Sequence, residues 1–249
     1  MNRFFIEESR RTEKMIWFDA EISHQITRVL RLQTGDRVEC PNGEGQTYLV
    51  ELTKIDAKQT EGAILETIKE YKEATLRLTL VQGLPKGERW EWILQKGTEL
   101  GLYAFQPVLS ERTIVRLSDQ EFEKKKSRWQ KIIQEAAEQS HREKCPVLNP
   151  LQTLEQWSRS IHTYNVVLFA YEGEREQSLA TVLQQVPHLQ HIALLVGPEG
   201  GFTEEEAGRL IAAGAKPVSL GPRIMRTETA ALALTAIVMY HYGQMEVIS

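Results

Sequence analysis

The sequence predicts an α/β protein in two parts: a small β-rich N-terminal domain followed by a larger domain built on a parallel sheet. Three observations carry this reading. Short apolar runs punctuated by turn signals fill residues 1–70, the spacing of a small barrel. From residue 76 onward apolar strands alternate with helical periods, the pattern of a parallel α/β sheet. The charged stretch Lys69–Thr75 separates the two patterns and reads as a linker.

In the first part, Phe4-Phe5-Ile6 and Met15-Ile16-Trp17-Phe18 read as strands, and Ser23–Leu30 as a short helix with Ser23 as its N-cap. A turn at Thr34-Gly35-Asp36 leads to a strand over Arg37–Cys40, and Asn42-Gly43 signals a hairpin into Thr47–Leu52. Ile64–Ile68 can close the sheet. In the second part, strands are expected at Leu76–Gln82, Phe105–Leu109, Tyr164–Ala170, Ile192–Val196 and Pro217–Leu220. Helices are expected at Gly87–Leu100, ended by Gly101, and at Glu121–His141, Leu179–Gln185 and Glu228–Tyr242. Thr203 and Glu206 form a capping box that opens a helix ending at Gly214.

The chain has 249 residues, of which 41% are apolar and 26% charged, ordinary for globular domains. The longest apolar stretch, Ala230–Tyr242, is too short to span a membrane. The N-terminus lacks the features of a signal peptide. Cys40 and Cys145 are far apart, which argues against a disulfide framework or zinc site and fits a reducing, cytoplasmic compartment. The formal net charge is −4, with the middle of the chain weakly basic and the C-terminal part acidic. There is no basic tail, so any RNA contact must come from local patches.

The chemistry is expected beyond the carboxyl ends of the strands, where open parallel sheets bind ligands. Val166–Ala170 runs into Tyr171-Glu172-Gly173, Ile192–Val196 into Gly197-Pro198-Glu199-Gly200-Gly201, and Val218–Leu220 into Gly221-Pro222-Arg223-Ile224-Met225-Arg226. Glycines there let backbone N–H and C=O groups approach a ligand closely. An isolated Gly-Pro turn would be only a turn. These glycines cluster after a buried strand and before a capped helix, which favours a ligand site. Neither the P-loop nor the dinucleotide fingerprint is present.

The run Leu195–Phe202, together with Leu220-Gly221-Pro222-Arg223-Ile224-Met225-Arg226 and Glu228-Thr229-Ala230, resembles the SPOUT class of methyltransferases, and within it the RsmE family. Arg3-Phe4-Phe5 and His24…Arg31…Asp36 resemble that family's N-terminal PUA-like domain. Lys86–Gly101, Glu111-Arg112-Thr113 and Glu135…Arg142 resemble further family blocks. Met225 stands where a branched aliphatic is more usual. The resemblance implies a PUA-like β-barrel domain over 1–72 and a SPOUT methyltransferase domain over 73–249, with a deep trefoil knot at about 165–245. It also implies a homodimer, S-adenosylmethionine as cofactor, no metal, and methylation of N3 of a uridine in 16S rRNA of the small ribosomal subunit.

Carried onto this sequence, the resemblance assigns the cofactor to Phe169, Ala170, Glu172, Leu195, Gly197, Pro198, Gly200, Gly201, Leu220, Gly221, Ile224, Met225 and Ala230. Arg226 would stabilise the uracil anion. Glu199 is the general-base candidate, for which a raised pKa would suit, or else a backbone anchor in its loop. RNA would be met by Arg3, His24, Arg28 and Arg31 in the small domain, and by Lys86, Arg89, Lys96, Arg112 and Arg142 in the catalytic one. Each of these cations alone could equally be a solvated surface charge. Lys124-Lys125-Lys126 reads as a solvated helix face, Trp90 as core, and Trp92 as either core or base platform. The alternatives are another SPOUT methyltransferase acting on tRNA or a different rRNA site, a non-catalytic RNA-binding assembly protein that binds no S-adenosylmethionine, and a nucleotide-dependent oxidoreductase.

Overall fold

The computed structural model describes residues 1–68, 73–186 and 190–246. The chain forms two compact units, Met1–Glu73 with Ala137–Cys145, and Ala74–Ala136 with Pro146–Ser249. Residues 69–72 of the expected linker lie outside the described residues.

The first unit is a five-stranded sheet with the order β1-β3-β4-β5-β2. Its strands are β1 (Asn2–Arg3), β2 (Met15–Trp17), β3 (Arg37–Pro41), β4 (Thr47–Lys54) and β5 (Glu61–Ile68). Alternation along them aims Phe4, Ile16, Phe18, Val38, Cys40, Val50 and Leu52 into one core. Phe4–Ile6, expected as a strand, is one only in its backbone pairing: Phe4 N–H donates to Glu39 C=O and Ile6 N–H to Pro41 C=O, both at 3.0 Å. The expected N-cap at Ser23 is corrected. Helix α1 (Ala20–His24) starts earlier, capped by Asp19, whose carboxylate accepts from Ile22 N–H at 2.8 Å, and continues as a π-helical turn over Gln25–Val29. Ser23 is buried instead; its hydroxyl donates to Phe18 C=O and accepts from Thr60 N–H.

The second unit is a parallel sheet in the order β12-β10-β11-β6-β7-β8, with β9 beside β7. Its strands are β6 (Arg77–Gly83), β7 (Ala104–Leu109), β8 (Val147–Leu148), β9 (Gln152–Thr153), β10 (Val166–Ala170), β11 (His191–Val196) and β12 (Lys216–Val218). Helices α2 (Arg89–Glu99), α3 (Asp119–Gln139), α4 (Leu154–Ser158), α5 (Leu179–Gln184), α6 (Glu204–Ala212) and α7 (Thr227–His241) connect or follow them. The Thr203/Glu206 capping box is present, with Glu206 N–H on the Thr203 hydroxyl at 3.1 Å. Strand β11 is buried on both faces, as its unbroken apolar run requires. Trp90 is core, 2% exposed, against Phe105 and Trp129, whereas Trp92 is exposed. Among the described residues, no helix is long and apolar enough to cross a membrane.

The register decides where the site lies. Ala170, at the end of β10, pairs with Val196 of β11 and with Val218 of β12, and Val196 pairs with Gln82 of β6. Three strands therefore release their loops at one level of the sheet, on its carboxyl edge.

Candidate cofactor and substrate site

The three loops enclose a cavity of about 890 Å³, within the roughly 300–1,000 Å³ of ligand sites. Of the residues assigned to the cofactor, Ala170, Glu172, Gly197, Pro198, Gly201, Leu220, Gly221, Ile224, Met225 and Ala230 line it. Both candidates for the chemistry, Glu199 and Arg226, line it too, as does Arg89.

Three assignments need correction. Phe169 and Leu195 are fully buried and pack in the core with Val81, Ala193 and Phe202 rather than lining the cavity. Each stands one residue short of its strand end, so its side chain points into the sheet packing. Gly200 is turned away from the cavity: a Cβ there would meet Arg112 at 3.0 Å, and Arg112 Nη1 donates to its C=O at 3.2 Å. Among residues the sequence reading omitted, Tyr171, Arg175, Phe202, Arg223, Thr227 and Glu228 line the cavity. All but Arg175 lie within or directly beside a recognised loop or motif, so the loop spacing alone nominates them; Arg175 lies two residues beyond the first loop.

Two loop glycines take backbone conformations that side chains rarely adopt, Gly201 with φ 66° and Gly221 with φ 103°. A Cβ at Gly221 would meet no atom within 4 Å. The residue is thus required by its backbone angle and not by crowding.

The carboxylate of Glu199 is tied down. Its Oε1 accepts from Lys86 N–H at 3.0 Å and from Arg89 Nη1, and the Nε of Arg89 lies 3.6 Å from Glu228. Burial alone would raise the Glu199 pKa. Hydrogen bonds from Lys86 N–H, from its own N–H and from Arg89 outweigh that and hold it below the usual carboxylate range. The raised pKa expected of a base is therefore contradicted, and the arrangement matches an anchor for the loop. The Oε2 of Glu228 is buried and without a hydrogen-bond partner among the described residues. Arg175, Arg223 and Arg226 make no ion pair among the described residues, and the Arg226 side chain does not cap α7.

The expected RNA cations divide. Arg3 is 7% exposed, with its guanidinium on Glu39 at 2.7 Å and Thr47 at 3.1 Å, so it braces β3 and β4. Arg142 is also 7% exposed and is paired with Glu73 at 2.7 Å. Glu73 further accepts from the backbone of Glu143 and Lys144, which makes this a structural knot of hydrogen bonds within the first unit. Lys96 pairs with Glu99 and lies over the Trp92 ring. His24, Arg28, Arg31, Lys86 and Arg112 are exposed.

Comparison with known proteins gives a consistent result. A family profile described as an RNA methyltransferase domain matches residues 72–239, and an RNA methyltransferase PUA domain matches residues 18–65. A Bacillus subtilis protein named ribosomal RNA small subunit methyltransferase E is 36% identical over 245 residues, covering 95% of this chain and 96% of the relative. A protein of the same name from Synechocystis is 39% identical over 83% of this chain and 67% of its own length. The crystal structure of ribosomal RNA small subunit methyltransferase E from Neisseria gonorrhoeae, bound to S-adenosyl methionine, superposes with a TM-score of 0.87. It is 34% identical and covers 96% of this chain and 97% of that one.

Proposed function

The chain belongs to the ribosomal RNA small subunit methyltransferase E family of RNA methyltransferases, and on that premise we propose that it methylates N3 of a uridine in small-subunit ribosomal RNA with S-adenosylmethionine as donor. The observation that carries the reading is the convergence of three sheet-edge loops on one cavity.

The cavity fits the donor. Its volume suits a nucleoside-sized molecule. The backbones of Gly197, Leu220 and Gly221 offer N–H and C=O groups to an adenine edge, and Phe202, Val196 and Val218 give an apolar wall. Glu172 and the unpartnered Oε2 of Glu228 suit the positive charges of the donor, and Arg175 or Arg223 suits its carboxylate. When bound, S-adenosylmethionine supplies an electrophilic methyl group on a sulfonium.

The chain's own residues orient and stabilise. Uridine N3 carries a proton and is nucleophilic only once that proton has passed to solvent. Arg226, with no carboxylate partner among the described residues, faces the developing uracil anion and lowers its energy. Glu199 stays ionised and holds Arg89 and the Lys86 backbone in place, while the apolar wall keeps water from the reacting atoms.

The reading extends to the assembly. Residues 1–72 form the RNA-binding domain, using exposed His24, Arg28 and Arg31, and 73–249 the methyltransferase domain, with Lys86 and Arg112 as further RNA contacts. The segment of about 165–245 forms a trefoil knot, a reading that rests on membership of the family. Two copies pair through the exposed apolar side of α7, where Ile237 and Tyr240 are 46% and 75% exposed, and the enzyme works in the cytoplasm, where its ribosomal substrate is found. The decisive experiment incubates the protein with methyl-labelled S-adenosylmethionine and unmodified small subunits and maps the modified base. Label at a uridine N3 is the expected outcome; label on a ribose, or none, contradicts the assignment.

A further inference from the structure

Gln82 is the penultimate residue of β6, in a position that an apolar residue would ordinarily hold, fully buried and flanked by Val81 and Gly83. The two protons of its Nε2 are shared among three acceptors: Gly83 C=O at 2.8 Å, the Thr227 hydroxyl at 2.8 Å and, more distantly, Gly197 C=O at 3.2 Å. The Thr227 hydroxyl in turn donates to the same Gly197 C=O at 2.5 Å. One side chain thus joins three chain segments: the end of β6, the first residue of the loop after β11, and the first residue of α7.

The backbones touch as well. A Cβ on Gly83 would fall 2.4 Å from Pro198 Cδ and 2.9 Å from Gly197 C, so β6 and the Gly197-Pro198 turn are in direct contact. Gly197, Pro198 and Thr227 line the cavity, and Thr227 directly follows Arg226. Ala230 N–H bonds to Arg226 C=O at 2.8 Å, which fixes the first turn of α7 to the root of that arginine. The node therefore sets the distance between two walls of the cavity and the origin of the candidate anion-stabilising side chain.

Stability alone does not account for the residue. The Oε1 of Gln82 is buried without a hydrogen-bond partner among the described residues, and a half-satisfied buried amide costs folding free energy that an apolar side chain would not. What the amide does, and an apolar side chain cannot, is fix two loops to each other through a shared carbonyl.

We propose that Gln82 and Thr227 are positioning residues for the methyl donor, acting by clamping the Gly197 loop to the start of α7. The proposal rests on the reading of the cavity as the S-adenosylmethionine site. It is tested with Gln82→Leu, which keeps the volume, and with Thr227→Val and Thr227→Ser, measured by calorimetric titration of S-adenosylmethionine alongside the melting temperature of the ligand-free protein. The expected result is a dissociation constant raised about tenfold in Gln82→Leu and Thr227→Val, as loss of one loop-fixing hydrogen bond implies, and restored in Thr227→Ser. The Gln82→Leu/Thr227→Val double variant should be little weaker than either single one, because both break the same node. A lowered melting temperature with unchanged affinity in both variants would make the node a plain structural contact and overturn the proposal. So would failure of Thr227→Ser to restore affinity. Absence of S-adenosylmethionine binding to the unmodified protein would instead refute the assignment of the cavity. If Gln82→Leu does not fold, the Thr227 pair decides the question alone, since Val differs from Thr by the hydroxyl and not by its shape.

Discussion

Two sets of arginines, one bracing the first unit and one lining the cavity of the second, are used differently, although exposed Arg28 and Arg31 of the first unit and paired Arg89 at the cavity belong to neither set. In the first, Arg3, Arg10, Arg11, Arg37 and Arg142 each have a carboxylate within 4.0 Å, and Arg3 and Arg142 are almost wholly buried. Around the cavity of the second, Arg175, Arg223 and Arg226 make no ion pair among the described residues, although Glu172 and Glu174 line the same space. A paired, buried arginine braces the fold; a cation left unpaired beside a cavity retains its charge for a ligand. The difference teaches that counting basic residues does not locate an RNA surface, whereas finding the ones the fold leaves unpaired does.

The comparison makes predictions on both sides, the strongest at the cavity. Replacing Arg226 with Ala should lower kcat about 10³-fold, the effect of removing a group that faces developing charge, while donor affinity stays within twofold. A kcat within a few-fold of normal would move Arg226 to the braced class. In the first unit, Glu73→Gln should destabilise the protein by about 2 kcal/mol in denaturant unfolding by weakening the charged hydrogen bonds that Glu73 accepts from buried Arg142 and from the Glu143 and Lys144 N–H groups.

The same pair sets a pH dependence. Burial of Glu73 would raise its pKa, but Arg142 and the N–H groups of Glu143 and Lys144 bring it below the ordinary value of 4.5. Because the folded state holds this proton less tightly, the stabilisation is complete above that value and fades as pH falls through the lowered one. Unfolding curves should show the loss in the unmodified protein and not in Glu73→Gln.

Smaller effects are expected at the shared border of the two classes. Glu199→Gln should reduce kcat only about tenfold, because the carboxylate anchors Arg89 and the Lys86 backbone; a loss of about 10³-fold would instead make it the acceptor of the N3 proton. Arg28→Gln, at an exposed cation of the first unit, should weaken binding to small subunits modestly and lower the slope of log affinity against log salt by about one. An unaltered slope would mean that Arg28 meets no phosphate.

What the sequence made legible follows the range of the interactions. The glycine turns after β10, β11 and β12 and the Thr203/Glu206 box are local features, and ten of the thirteen assigned cofactor residues line the cavity they predict. Ser23 looks like a cap in the sequence, but Asp19, four residues earlier, takes that role and starts the helix sooner. Strands β8 and β9 have two residues each, too few to show a period. The identities of Glu39 and Glu73 as partners of Arg3 and Arg142, 36 and 69 residues away, are fixed only by the fold. Gln82 was invisible for the same reason: its partners lie 115 and 145 residues further along the chain.

Whether those three loops hold the methyl donor is tested most directly by titration of S-adenosylmethionine into the protein and into Gly221→Ala. Gly221 has φ 103° and open space where a Cβ would go, so the substitution strains the loop backbone and crowds nothing. Saturable binding to the unmodified protein, weakened at least about tenfold in Gly221→Ala, is the predicted result. Equal affinity in the two, or no binding to either, would contradict it.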